Sequence, residues 1–260
     1  MALQLGRMFV DGTRRVLTRT GGILLLALLV IQLLTQAAVN TAVLGLFPPE
    51  ASGELEGMLG LTLPVSGTVG GILFVVAILL SSVYFVVATR ALARPLGDLS
   101  TFPSVLYTRR MGRATLSMVV GGLVVGVSVT IGLALIIVPG VFLTICFLFF
   151  IFTVGVEDRG IIDGLQASWA LSRGNRLKLS VFVVLAFLVG GVTGILGTLF
   201  DLAGVPIVGE VVTITLTSAL ALFGYGLMAA AYLQLRDDDA DEFDGSGTAT
   251  PADGTAGVEY

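Results

Sequence analysis

A chain of 260 residues that is 55% hydrophobic and only 12% charged, with a mean hydropathy of +1.00, has about half the charge density a soluble domain needs, which excludes an ordinary water-facing surface. One cysteine excludes an intramolecular disulfide. The absence of histidine excludes Ser-His-Asp and Cys-His catalysis within the chain and removes the commonest metal ligand and general base.

The charges are missing from continuous stretches close to the ~20 residues that span a bilayer core. In lipid such stretches must be helices or barrel strands, and these are too long and too uniformly apolar for alternating barrel strands of about 10 residues. The chain therefore reads as all-α: a polytopic membrane protein with six transmembrane helices in three hairpins, and amphipathic cytoplasmic helices lying at the interface. Residues 1–236 form the membrane domain.

The N-terminal segment is basic and amphipathic, with Leu5, Phe9 and Val16 set against Arg7, Asp11 and Arg14. Thr13-Arg14-Arg15-Val16-Leu17 resembles a twin-arginine export signal, whose cleavage near Ala37-Ala38 would leave five spans. The apolar run continues to Phe47, beyond the 7–15 residues of a signal core, and favours a retained helix. The first span covers about 22–46. Along its outer half Gln32, Gln36 and Asn40 recur every four residues, with Thr35 nearby. They are a candidate polar stripe, lining a transport path or, as favoured, joining helices by hydrogen bonds of about 0.6 kcal/mol each.

The second span covers about 68–89. The third and fourth, about 115–138 and 141–156, are separated only by Pro139-Gly140, read as the hairpin apex. Cys146 lies mid-span as a small hydrophobe. Glu157-Asp158-Arg159 reads as a capping turn into a second surface helix, with Ile161, Leu165, Trp169 and Ser172 on one stripe and Asp163, Gln166 and Arg173 elsewhere. Trp169, Arg173, Arg176 and Lys178 are candidate interfacial and headgroup contacts. The last spans cover about 179–200 and 211–235. Gly122/Gly126 and Gly190/Gly194 have the spacing that lets helices approach closely, with packing inside one chain favoured over a dimer face. Residues 237–260 carry Asp237, Asp238, Asp239, Asp241, Glu242, Asp244, Asp253 and Glu259 and read as a disordered acidic cytoplasmic tail; with the pI near 4.8, they suit a halophilic source.

All 14 basic residues fall in the N-terminal segment, the loops after spans two and four, and Arg236. Glu50, Glu54, Glu56, Asp201 and Glu210 fall on the other side, and the span interiors hold no ionisable residue. This segregation places both termini in the cytoplasm and the chain in the cell membrane. Leu17-Thr18-Arg19, Tyr107-Thr108-Arg109 and Leu171-Ser172-Arg173 each precede an outgoing span. Leu63-Pro64, Val138-Pro139 and Val205-Pro206 each precede a returning one, so the chain reads as three serial repeats.

Between Ile136 and Leu179, Ile136-Ile137-Val138-Pro139-Gly140, Val156-Glu157-Asp158 and the run Ile162-Asp163-Gly164-Leu165-Gln166-Ala167-Ser168-Trp169-Ala170-Leu171-Ser172-Arg173-Gly174-Asn175 carry a resemblance. The chain resembles a superfamily that includes the membrane domain fused to some glycerophosphodiester phosphodiesterases and their stand-alone bacterial and archaeal relatives. The resemblance implies a six-helix membrane domain without assigned chemistry, and it implies no phosphodiesterase activity, which in the fused proteins belongs to a separate soluble domain. It also singles out Ser168 and Asn175, read as contacts between surface helix and bundle.

With no acid, base and nucleophile converging in the loops, the expected role is a non-enzymatic membrane scaffold or a component of assembly or envelope homeostasis. The alternative is a transporter or permease subunit using Gln32, Gln36 and Asn40. Expected partners are the lipid bilayer and a second copy or another membrane protein. No nucleic acid, metal or cofactor is expected.

Overall fold

Helix ends in this chain are set by capping side chains and by carbonyls that find partners across the bundle. The computed structural model describes residues 4–48 and 59–246, the last ten as backbone only. Thr18 accepts from the Gly21 amide at 3.1 Å and starts the first long helix. Ser66 does the same for Val69 at the start of the second.

In chain order the helices are α1 Leu5–Val16, α2 Arg19–Leu44, α3 Gly67–Leu92, α4 Val105–Thr108, α5 Met111–Leu135, α6 Ile137–Cys146, α7 Phe150–Gly155, α8 Ile161–Ser172, α9 Arg176–Leu202 and α10 Pro206–Ser246, with a 3₁₀ turn at Leu96–Ser100 before α4. There is no strand among the described residues. Six stretches are long and apolar enough to cross a membrane: α2, α3, α5, α6 with α7, α9, and α10 as far as Arg236. The order of lead-in, outgoing helix and returning helix recurs three times: α1–α2–α3, then the 3₁₀ turn and α4 with α5 and α6–α7, then α8–α9–α10.

α3 touches α2, α5, α7 and α10 and forms the centre. The core joins Leu24 and Leu28 of α2, Tyr84, Ala88 and Leu92 of α3, Phe149 just before α7 and Phe152 within it, and Leu222, Leu227 and Tyr232 of α10. With Ala37 and Ala38 also buried, α2 is a wall of the bundle. Cys146 is fully buried.

Three features depart from the sequence expectations. The turn between the third and fourth spans lies at Ile136, extended at φ −154° and ψ 132°, and not at Pro139-Gly140. Proline is tolerated in the first turn of a helix, where its missing N–H has no partner to lose. Gly140 serves close packing instead: a Cβ on Gly132 would sit 2.9 Å from the Gly140 Cα. The fourth span is split in two at Phe147–Phe149. Finally, α10 begins at Pro206 and runs to Ser246, ten residues into the stretch read as a disordered tail, since extending an established helix is far easier than nucleating one. Residues 247–260, and Glu50, Glu54 and Glu56, lie outside the described residues.

The lead-in helices pack on the bundle mainly by small residues. α1 buries Met8, Gly12 and Arg15, while Leu5 and Phe9 are exposed. Its Gly12 lies against Gly226 and Leu227 of α10. α8 buries Gly164, Ser168 and Ser172, with Leu165 and Trp169 half-buried at the sides. Small residues let backbones approach closely, whereas large apolar ones are equally content facing lipid.

Candidate functional site

Two buried arginines organise the basic end. The last carbonyls of a helix have no partner within it, and a cation near them also meets the favourable end of the helix dipole. Arg15, only 7% exposed, donates through Nη1 to Leu92 O, the last residue of α3, and to Arg94 O, both at 2.6 Å. Burial pushes its pKa below the ordinary value, and nearby Asp11 opposes the shift. Arg90 donates through Nε to Gly155 O at the end of α7 at 2.7 Å, and through Nη1 to Arg109 O at 2.7 Å and Leu106 O at 3.3 Å. Its Nη2 meets Asp158 Oδ1 at 2.6 Å. Asp158 stands in the left-handed region at φ 54°, a conformation that aspartate tolerates better than most residues. Its second oxygen faces Arg109 Nη2 at 2.9 Å.

Beside this knot lies a pocket of about 670 Å³, lined by Arg109, Val156, Glu157, Arg159, Ala167, Ala170, Leu171 and Arg236. Glu157 accepts from the Tyr232 hydroxyl of α10 and from Arg159 Nε, which ties the turn after α7 to the last span. Sequence reading treated Glu157-Asp158-Arg159 as a local cap. Its long-range partners, Arg90 and Tyr232, could not be found from spacing.

The candidate polar stripe does not act as one surface. Gln32 is exposed on the outside of the bundle. Gln36 donates to Asn40 Oδ1 at 3.2 Å. Asn40, 5% exposed, donates to Leu61 O and to Glu210 Oε1, each at 3.0 Å. Glu210 in turn accepts from the Leu61 amide, and Thr41 accepts from the Leu63 amide at 2.8 Å. Glu210, which the sequence places outside the last span, lies in the early turns of α10 and, with Asn40, holds the backbone at Leu61 ahead of α3.

The expected interfacial residues divide. The Arg176 guanidinium lies 4.8 Å from the Trp169 ring and 4.9 Å from that of Phe142, held between two aromatic faces. Arg173 is exposed and lines a shallow depression with Trp169. The Lys178 amide donates to Asn175 O at 3.0 Å in the first turn of α9. Ser168 donates to Cys146 O at 2.9 Å, satisfying a carbonyl freed at the break between α6 and α7. It joins α8 to the bundle.

The glycine pairs overturn the expectation of packing inside one chain. A Cβ built on Gly122, Gly126, Gly190 or Gly194 meets no atom within 4 Å, and all four face outward. Thr130 and Ala134 continue the first stripe on α5, and Ala186 and Thr198 extend the second on α9, all exposed. An apolar groove of about 680 Å³ between α6, α9 and α10 reaches Gly190. Among the described residues no group of three or more His, Cys, Asp or Glu is arranged to hold a metal.

Searches for related proteins find no match among curated proteins and none among solved structures. One sequence family does match, over residues 3–235, nearly the whole described bundle. The chain belongs to the family described as a domain of unknown function, DUF7847.

Proposed function

We propose that this protein is a non-enzymatic scaffold or assembly component of the cell membrane, whose outer helices α5 and α9 receive transmembrane helices of a second copy or of another membrane protein. The observation carrying this reading is the outward exposure of both glycine pairs, Gly122/Gly126 and Gly190/Gly194. Such faces allow backbone contact between helices, the main source of association where lipid removes the hydrophobic drive. Gathering of the basic residues at one end supports an orientation with that end and both termini in the cytoplasm. Engagement of Gln36 and Asn40 in hydrogen bonds within the chain favours this role over the transport alternative. The resemblance of residues 136–179 to membrane domains fused to phosphodiesterases fits a domain that serves other proteins.

Crosslinking and affinity purification from native membranes tests the proposal. A stable partner is expected with the natural chain and lost with Gly122→Leu/Gly126→Leu or Gly190→Leu/Gly194→Leu. Because a Cβ at each of these positions meets nothing within 4 Å, loss of the partner at an unchanged unfolding midpoint of the monomer reports assembly and not unfolding. Recovery of a solitary monomer from native membranes would refute the proposal.

A further inference from the structure

The pocket at the basic end holds a combination that neither the scaffold role nor the packing of the bundle uses up. Three guanidinium groups, from Arg109, Arg159 and Arg236, face one carboxylate, Glu157. Immediately beneath, Arg90 and Asp158 add one further charge of each sign. Among the described side chains, four cations stand against two anions.

The pairing is also unequal. Asp158 is only 6% exposed and is shared by Arg90 and by Arg109, whose own side chain is 60% exposed. Glu157 is shared between Arg159 and the Tyr232 hydroxyl. Each carboxylate thus serves two donors, while Arg109 and Arg159, the latter 47% exposed, keep guanidinium edges open to the pocket. Arg236 closes the rim from the last span.

A planar fork of N–H donors matches the oxygens of a phosphate in a bidentate way that an ammonium does not. The remaining wall is apolar: Val156, Ala167, Ala170 and Leu171, the last three from α8. One pocket therefore pairs a cationic floor with a greasy wall, at the end of the bundle where the spans stop. A free inorganic ion needs only the first of these features. A phospholipid needs both, with its phosphate at the arginines and the first methylenes of its acyl chains against Ala167, Ala170 and Leu171.

We propose that the pocket between Arg109, Arg159 and Arg236 binds a phosphate group, presented by an anionic phospholipid of the surrounding bilayer. The site is separate from the glycine faces of α5 and α9, so its failure and the failure of the scaffold reading are independent.

The test uses the full chain, purified in a neutral detergent, with calorimetric titration of three probes: short-chain phosphatidylglycerol, short-chain phosphatidylcholine and inorganic phosphate. Saturable binding of phosphatidylglycerol is expected, with phosphatidylcholine at least tenfold weaker because its own cation opposes the arginines. Arg159→Gln/Arg236→Gln, which removes the two pocket cations outside the Arg90–Asp158 knot, should weaken phosphatidylglycerol at least tenfold at an unchanged unfolding midpoint. Glu157→Gln, which keeps the shape and removes the competing carboxylate, should strengthen it severalfold. Raising salt should weaken binding in the natural chain. Inorganic phosphate bound as tightly as phosphatidylglycerol would uphold the phosphate site and move its source to solution, overturning the lipid assignment. No saturable binding of either phosphate, or binding unchanged by both substitutions, would overturn the site itself.

Discussion

Arg90 and Asp158, 68 residues apart in sequence, meet at 2.6 Å with both side chains under 10% exposed. Removing one partner from a buried pair typically costs about 3–5 kcal/mol; without Arg90, Asp158 keeps only the largely exposed Arg109 as counter-charge, which sets that range as an upper bound. Arg90→Ala is expected to destabilise the detergent-solubilised protein by up to that amount. Arg90→Ala/Asp158→Asn should cost less than the sum of the two single changes, with a coupling of about 0.5–3 kcal/mol. Unfolding followed by circular dichroism checks both, and additive losses would show that the pair is not coupled.

Arg15 spans two carbonyls at the end of α3. Hydrogen bonds from a charged group contribute about 1.5–3 kcal/mol, so Arg15→Ala should lower stability by at least that amount. Arg15→Lys should restore part of it, because both bonds come from the single nitrogen Nη1, whose place a lysine ammonium takes only from a differently shaped side chain. Equal stabilities for the alanine and lysine variants would argue against the capping role.

At the opposite end, Asn40→Leu is expected to cost about 1–3 kcal/mol by taking the Asn40 donor away from Glu210 Oε1 and the Leu61 carbonyl. Gln32→Leu, on the outside, should stay within about 0.5 kcal/mol. Thermal midpoints of the two variants separate a shared polar stripe, in which both matter, from the local knot observed.

Two glycines of α5 make a further contrast. Gly132→Ala forces a Cβ to within 2.9 Å of the Gly140 backbone and should cost about 1–3 kcal/mol. Gly122→Ala meets nothing and should be neutral or stabilise the monomer by about 0.5–1 kcal/mol, as alanine suits a helix interior better than glycine. The comparison is made by unfolding the monomer in detergent.

Orientation is measurable because the single cysteine is fully buried. In a Cys146→Ala background, Val65→Cys and Tyr107→Cys place thiols at exposed sites near opposite ends of α3. A membrane-impermeant maleimide applied to intact cells should label the first and spare the second. The reverse pattern would invert the proposed topology.

Length and apolarity made the spans legible, since both follow directly from bilayer thickness. Expected and observed limits of the first five spans agree within four residues at each end. The break at Phe147–Phe149 was hidden because every residue around it is apolar and none is a helix breaker. The packing faces of α1 and α8 were not legible for a deeper reason. In water a large apolar stripe points inward, but in lipid it has no such preference, and smallness takes over as the guide. Hence Gly12, Gly164 and Ser168 are buried against the bundle, while Leu5 is exposed and Phe9 meets it only at the Phe223 ring of α10. Composition alone cannot tell a glycine that admits a neighbour from one that awaits it, which is why Gly122 and Gly132 look alike in the sequence and differ in the fold. The site was legible only as basic loops. Arg90, Glu157 and Tyr232 act through partners far along the chain, and nothing local to them marks that role.

Trp169 is the sole tryptophan, and its ring touches Phe142, Phe147 and the Arg176 guanidinium, joining α8 to α6 and α9. Ultraviolet emission from this protein is therefore a report from a single hinge-like seam. A fluorescence change that precedes the loss of helical signal on heating would mean that the surface helix peels away while the rods in the bilayer still stand.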